Sequence, residues 1–89
     1  MNVTSKIENL NDVNLAIVDA LALPMHPAKA KRLRAAQLAD LHEIRALMFH
    51  DAGTTADDRE ADIYKHAANQ AAHRDMDRAA FFRHEAGGR

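Results

Sequence analysis

The sequence contains no cysteine and no tryptophan, a single serine, two prolines, three glycines and only four aromatic residues. Each shortage removes a class of function. Without cysteine there is no disulfide framework, no thiolate zinc site and no cysteine nucleophile, a composition suited to a reducing cytoplasm, where the protein is expected to act. The one serine, Ser5, stands three residues before Glu8, a capping-box spacing that uses its hydroxyl at a helix start rather than as a nucleophile. No glycine-rich loop offers backbone N–H groups to a phosphate, and the carboxylates scatter along the chain instead of converging. Neither an enzyme nor a cofactor is expected. The longest apolar stretch, Leu15 to Met25, is interrupted by Asp19 and Pro24, so no membrane span and no secretion leader is expected. Charge of one sign is also missing: twelve Lys and Arg against thirteen Asp and Glu give a net charge of -1, without the positive field of a general nucleic-acid binder.

What is present reads as one all-α domain over residues 1–89, built of three helices. A chain this short hides only about 60 to 65% of its unfolded surface on folding, which leaves little stability to spare. The first helix is expected over about 5–23, with Ile7, Leu10, Val13, Ile17, Val18 and Leu21 at helical spacing and Pro24 as its stop. The second is expected over about 27–50, opened by Pro27 at its first position and ended at Gly53. Along it Ala30, Leu33, Gln37, Leu41, Ile44 and Met48 form one stripe. The third is expected over about 55–85, capped by Thr54 or Thr55, with Asp57 and Asp58 in its first turn and a flexible end at 86–89. No period-two alternation suggests a strand.

The third helix carries alanine where a core-facing helix normally has leucine. At 100° per residue, Ala61, Tyr64, Ala67, Ala68, Ala71 and Ala72 share a half with Ile63, while Asp62, His66, Asn69, His73 and Asp77 fall on the other. Small side chains let helix axes approach closely, so Ala67 and Ala71 are expected to meet the bulkier Leu33, Leu41, Ile44 and Met48 of the second helix in an antiparallel hairpin. The sharper alternative is that this thin face lines a groove. On the expected lengths the third helix spans ~42 Å and the second ~35 Å, so Phe81 and Phe82 would overhang. A homo-oligomer that buries them in a multi-helix bundle is the resulting expectation.

Two further clusters have site-like composition. His66, His73 and His84 share one stripe of the third helix, but without HExxH, ExxH or HxH spacing no metal is expected. The basic run "KAKRLR" places Lys29, Lys31, Arg32 and Arg34 at the start of the second helix, where backbone donors already favour an anion. A phosphate-bearing ligand could bind there, with Arg74 as a further contact.

Residues 26–74, through "HP" at His26 and Pro27 and "AANQAAHR" at Ala67 to Arg74, resemble the helical-hairpin domain of phage cyclic-nucleotide sponges that counter CBASS defence. That resemblance implies a small helical oligomer holding a signalling nucleotide between subunits without cleaving it. "READIYKHA", Arg59 to Ala67, is similar to the second helix of the plasmid copy-number regulator Rop, which implies a dimeric four-helix bundle that binds paired RNA loops. The expectation from the residues themselves is a non-catalytic, self-associating helical protein of phage or mobile-element type that sequesters or blocks a partner protein. A cyclic-nucleotide sponge and a Rop-like RNA regulator are its alternatives.

Overall fold

A computed structural model describes residues 7–55 and 61–87, with side chains placed over 7–52 and 65–87. Three helices appear, α1 Leu10–Leu21, α2 Ala28–Thr55 and α3 Ala61–Glu85, and no strand lies among the described residues. None of these helices is long and apolar enough to cross a membrane.

The helix ends differ from the sequence expectation for local reasons. Helix α1 starts at Leu10, not near residue 5, because Asn9 caps it. Its side chain accepts from the Asp12 N–H at 2.9 Å, while Asp12 accepts in turn from the Glu8 N–H at 3.0 Å. Asn9 is thus the N-cap, and Asp12 holds the N–H of the residue before Asn9, a variant of the capping box expected at Ser5 and Glu8; Ser5 lies outside the described residues. Pro27 sits one residue before α2, and its carbonyl accepts the first helical bond from Lys31. Gly53 does not end α2, which continues to Thr55. A glycine inside a helix costs only about 1 kcal/mol relative to alanine, less than a cooperative helix can absorb. Asp57 and Asp58 lie outside the described residues. The last turn of α3 closes onto Gly87, whose φ of 93° is the left-handed conformation that favours glycine after a helix.

The core forms where Val13, Ile17 and Ala20 of α1 meet Leu38 and Leu41 of α2, with Ala35, Ala39 and Phe82 completing it. Ile44 and Met48 pack against this cluster. The apolar stripe read from α2 therefore serves α1, and Leu33, at its start, stays 59% exposed. A different side of α2 meets α3, where Ala35, Ala39, His42 and Ala46, spaced 4, 3 and 4, are all buried. On α3 the buried positions are Ala68, Asp75, Ala79 and Phe82. Alanine thus occurs on both sides of this seam. The buried face of α3 is turned from the expected one toward Ala68 and Asp75: Ala67 is exposed and Ala71 only half-buried.

The expected overhang of the phenylalanines is overturned as well. With α2 at 28 residues and α3 at 25, α3 is the shorter helix, and Glu85 lies 3.6 Å from Lys31 beside the start of α2. Phe82 is buried within the chain; Phe81, 61% exposed, turns away from the core.

Candidate functional site

Among the described residues, a connected polar network is buried between the helices. The buried charged or polar side chains of the described residues are Asp75 of α3 and His42 of α2, 3% and 6% exposed. His42 Nδ1–H donates to Asp75 Oδ1 at 2.8 Å. Arg45, one turn further along α2, donates from Nη2 to the same oxygen at 2.7 Å and from Nε to Oδ2 at 2.9 Å, a bidentate fork. Its Nη1 donates to Asn14 Oδ1 of α1 at 2.8 Å. The His42 ring stacks on Phe82, with centroids 5.7 Å apart and planes 11° from parallel. Among the described residues no buried side-chain nitrogen or oxygen lacks a hydrogen bond.

Burial alone would raise the Asp75 pKa, because the charged form loses water. Hydrogen bonds from Arg45 and His42, then the charges of the same two residues, outweigh that penalty and hold the carboxyl below its ordinary value. The carboxylate is therefore ionised and fully occupied. One residue from each of α1 and α3 and two from α2 are tied through the Arg45 guanidinium and the Asp75 carboxylate, so the network links the registers of all three helices. It escaped the sequence reading because Asp75 sits in the charged run His73 to Arg78, which looks like a solvated face. The available signal was spacing: Ala68, Asp75 and Phe82 recur every seven residues, and His42 and Arg45 stand one turn apart.

The basic cluster at the start of α2 is partly occupied internally. Lys31 pairs with Glu85, and Arg34 Nε donates to the Leu21 carbonyl at 3.3 Å, closing the end of α1. Lys29 and Arg32 remain exposed, and the first turn of α2 holds no acidic residue. Arg74 is not brought to them. It precedes Asp75, which bonds Arg45, and Arg45 lies eleven residues beyond Arg34, roughly 16 Å along the helix. The histidines of α3 do not converge either: His66, His73 and His84 are exposed, His66 lies 3.1 Å from Gln70, and no group of three metal-capable side chains occurs among the described residues.

The predicted interface residues divide between inside and outside. Leu41 and Phe82 are core, and Ile44 and Met48 pack on it, whereas Leu33, Ala67 and Phe81 are exposed. A second apolar surface lies on α1, where Leu15 and Val18 are 58% and 62% exposed on the side opposite Val13, Ile17 and Ala20. Leu21, Leu23 and Met25 extend it. On α3 a hollow of about 420 Å³ is lined by Arg74, Asp77, Arg78 and Phe81.

No protein-family model, no curated protein and no solved structure matches this chain.

Proposed function

We propose that the protein is a non-catalytic helical binding protein of the cytoplasm, in which an antiparallel α2–α3 hairpin carries α1 into contact with another polypeptide, and that it assembles with itself before blocking a partner protein. The observation that supports this reading is α1, a twelve-residue helix with apolar side chains on two opposed faces. A helix on the surface of a finished domain has one apolar face, whereas α1 also exposes Leu15 and Val18, set among Asn11, Asn14 and Asp19, on its outer side. One face of α1 is satisfied by α2, and on the other Leu15 and Val18 stay exposed among the described residues. Each large aliphatic side chain left in water forgoes roughly 1.5 to 3 kcal/mol, a sizeable fraction of the stability of an 89-residue domain. The buried network serves this role by fixing α1 on its hairpin, so that the outer face is presented rigidly. Light scattering at tens of micromolar should give at least twice the 9.9 kDa chain mass, and Val18→Glu should reduce it to the single-chain value. A wild-type monomer would remove self-association from the proposal.

The nucleotide-sponge alternative retains one observation in its favour: the first turn of α2 has no acidic residue and leaves Lys29 and Arg32 exposed. A panel of cyclic dinucleotides separates the two, since a true ligand raises the melting temperature with the logarithm of its concentration. A Rop-like RNA reading predicts binding that weakens steeply with salt instead.

A further inference from the structure

The uncovered face of α1 does not stand alone. Helix α1 packs on α2 and scarcely on α3, so the three helices enclose an angle instead of closing a triangle. Arg45 lies in that angle, bonded on one side to Asn14 of α1 and on the other to Asp75 of α3. Val18 is one turn from Asn14 on the same flank of α1. On α3, Arg83 reaches Glu43 at 2.7 Å on the far flank, which leaves Arg74, Arg78 and Phe81, spaced by 4 and 3 residues, on the flank toward α1. The angle is therefore flanked by the apolar outer side of α1 and by the α3 flank of Arg74, Arg78 and Phe81, whose hollow Asp77 also lines.

Charge identifies the occupant. Helix α1 carries Asp12 and Asp19 and no basic residue, and Glu8 lies just before its cap. Arg74 and Arg78 form no ion pair among the described residues, and neither does Asp19. A second copy of the chain therefore brings a complement to this angle, an apolar helix face edged with carboxylates, and its own angle receives α1 of the first copy in return. The near-zero net charge sets no general repulsion against such pairing.

We propose that two copies dock through a two-fold interface in which the outer face of α1, Leu15 and Val18 edged by Asp19, enters the corresponding angle of its partner against Phe81, with Asp19 facing Arg74 and Arg78. This proposal rests on the self-association argued above and adds the surface and its polarity. Its test is charge reversal, read by light scattering and sedimentation at two salt concentrations. Arg78→Glu and Asp19→Lys, both at exposed positions, should each weaken dimerisation by about tenfold or more, and the two together in one chain should restore most of it. Far-UV circular dichroism and urea midpoints at low concentration confirm that each variant folds. A dimer unaffected by either reversal, or two damaging reversals that do not compensate, would overturn this surface while leaving self-association intact. A wild-type monomer at tens of micromolar would overturn both. In the expected case dimerisation also weakens with salt, because the paired charges lie at the edge of the angle.

Discussion

Asp75 is a carboxylate that cannot be removed without leaving Arg45 and His42 facing a void. Breaking a buried ion pair from one side typically costs about 3 to 5 kcal/mol, because the remaining charge loses its compensation. Arg45 is a quarter exposed and can regain some water, so Asp75→Ala is expected near the lower figure, and Asp75→Asn, which keeps a hydrogen-bond acceptor, well below it. Urea denaturation at neutral pH measures both. The same residue fixes a pH dependence. Its pKa is lower in the folded protein than in the unfolded chain, so in the range between the two values the unfolded chain binds more protons and stability rises with pH. The contribution of Asp75 is whole at neutral pH and is lost only as pH falls below about 4, through the depressed folded value. The loss of stability between pH 5 and pH 3 should accordingly be larger in wild type than in Asp75→Asn; equal losses would show that Asp75 contributes no differential proton binding. At this scale the sequence was least legible. A charged residue within "HRDMDR" reads as solvent-facing, and only the long-range pairing with position 42, thirty-three residues away, makes it a core residue.

The elements themselves were legible because they depend on local chemistry. Three helices and the proline break after α1 follow from apolar spacing and backbone restriction, and the boundaries slipped at the start of α1, which Asn9 caps, and at the end of α2, which runs through Gly53 to Thr55. The faces were harder. On α3 the alanines at 67, 68, 71 and 72 span more than a third of the helix, so composition did not decide which pair lay inside; a 100° rotation exchanges Ala67 for Ala68. What decided it was the need to bury Phe82 and satisfy Asp75 on the same face. On α2 the stripe expected to face α3 instead packs Leu41, Ile44 and Met48 on the cluster with α1 and leaves Leu33 exposed, while the alanines meet α3. Small residues on both sides of the α2–α3 seam make that seam sensitive to added volume. Ala39→Leu, at a fully buried position, should cost about 1 to 3 kcal/mol by overpacking. Ala67→Leu, at an exposed one, should stay within about 0.5 kcal/mol. Comparable costs at the two positions would place the seam back on the Ala67 side.

For the whole molecule, the distinction between Phe81 and Phe82 separates folding from assembly. The two rings touch edge to face at 5.3 Å, yet Phe82 lies in the core against His42 while Phe81 projects beside Arg78 into the hollow on α3. Phe82→Ala removes a packed ring from the junction of all three helices and should cost about 3 to 5 kcal/mol at every protein concentration. Phe81→Ser removes a ring that the isolated chain does not cover, so at low concentration its melting temperature should match that of wild type. Association binds the folded chain and not the unfolded one, which makes the stability of an assembling protein rise with concentration by mass action. The wild-type melting temperature should therefore climb as concentration is raised from sub-micromolar to hundreds of micromolar, and the Phe81→Ser curve should stay flat. If both proteins climb together, assembly uses a surface that excludes Phe81. If neither climbs, the apolar outer face of α1 is reserved for a different polypeptide, and the two-sided character of that helix becomes the guide to finding it.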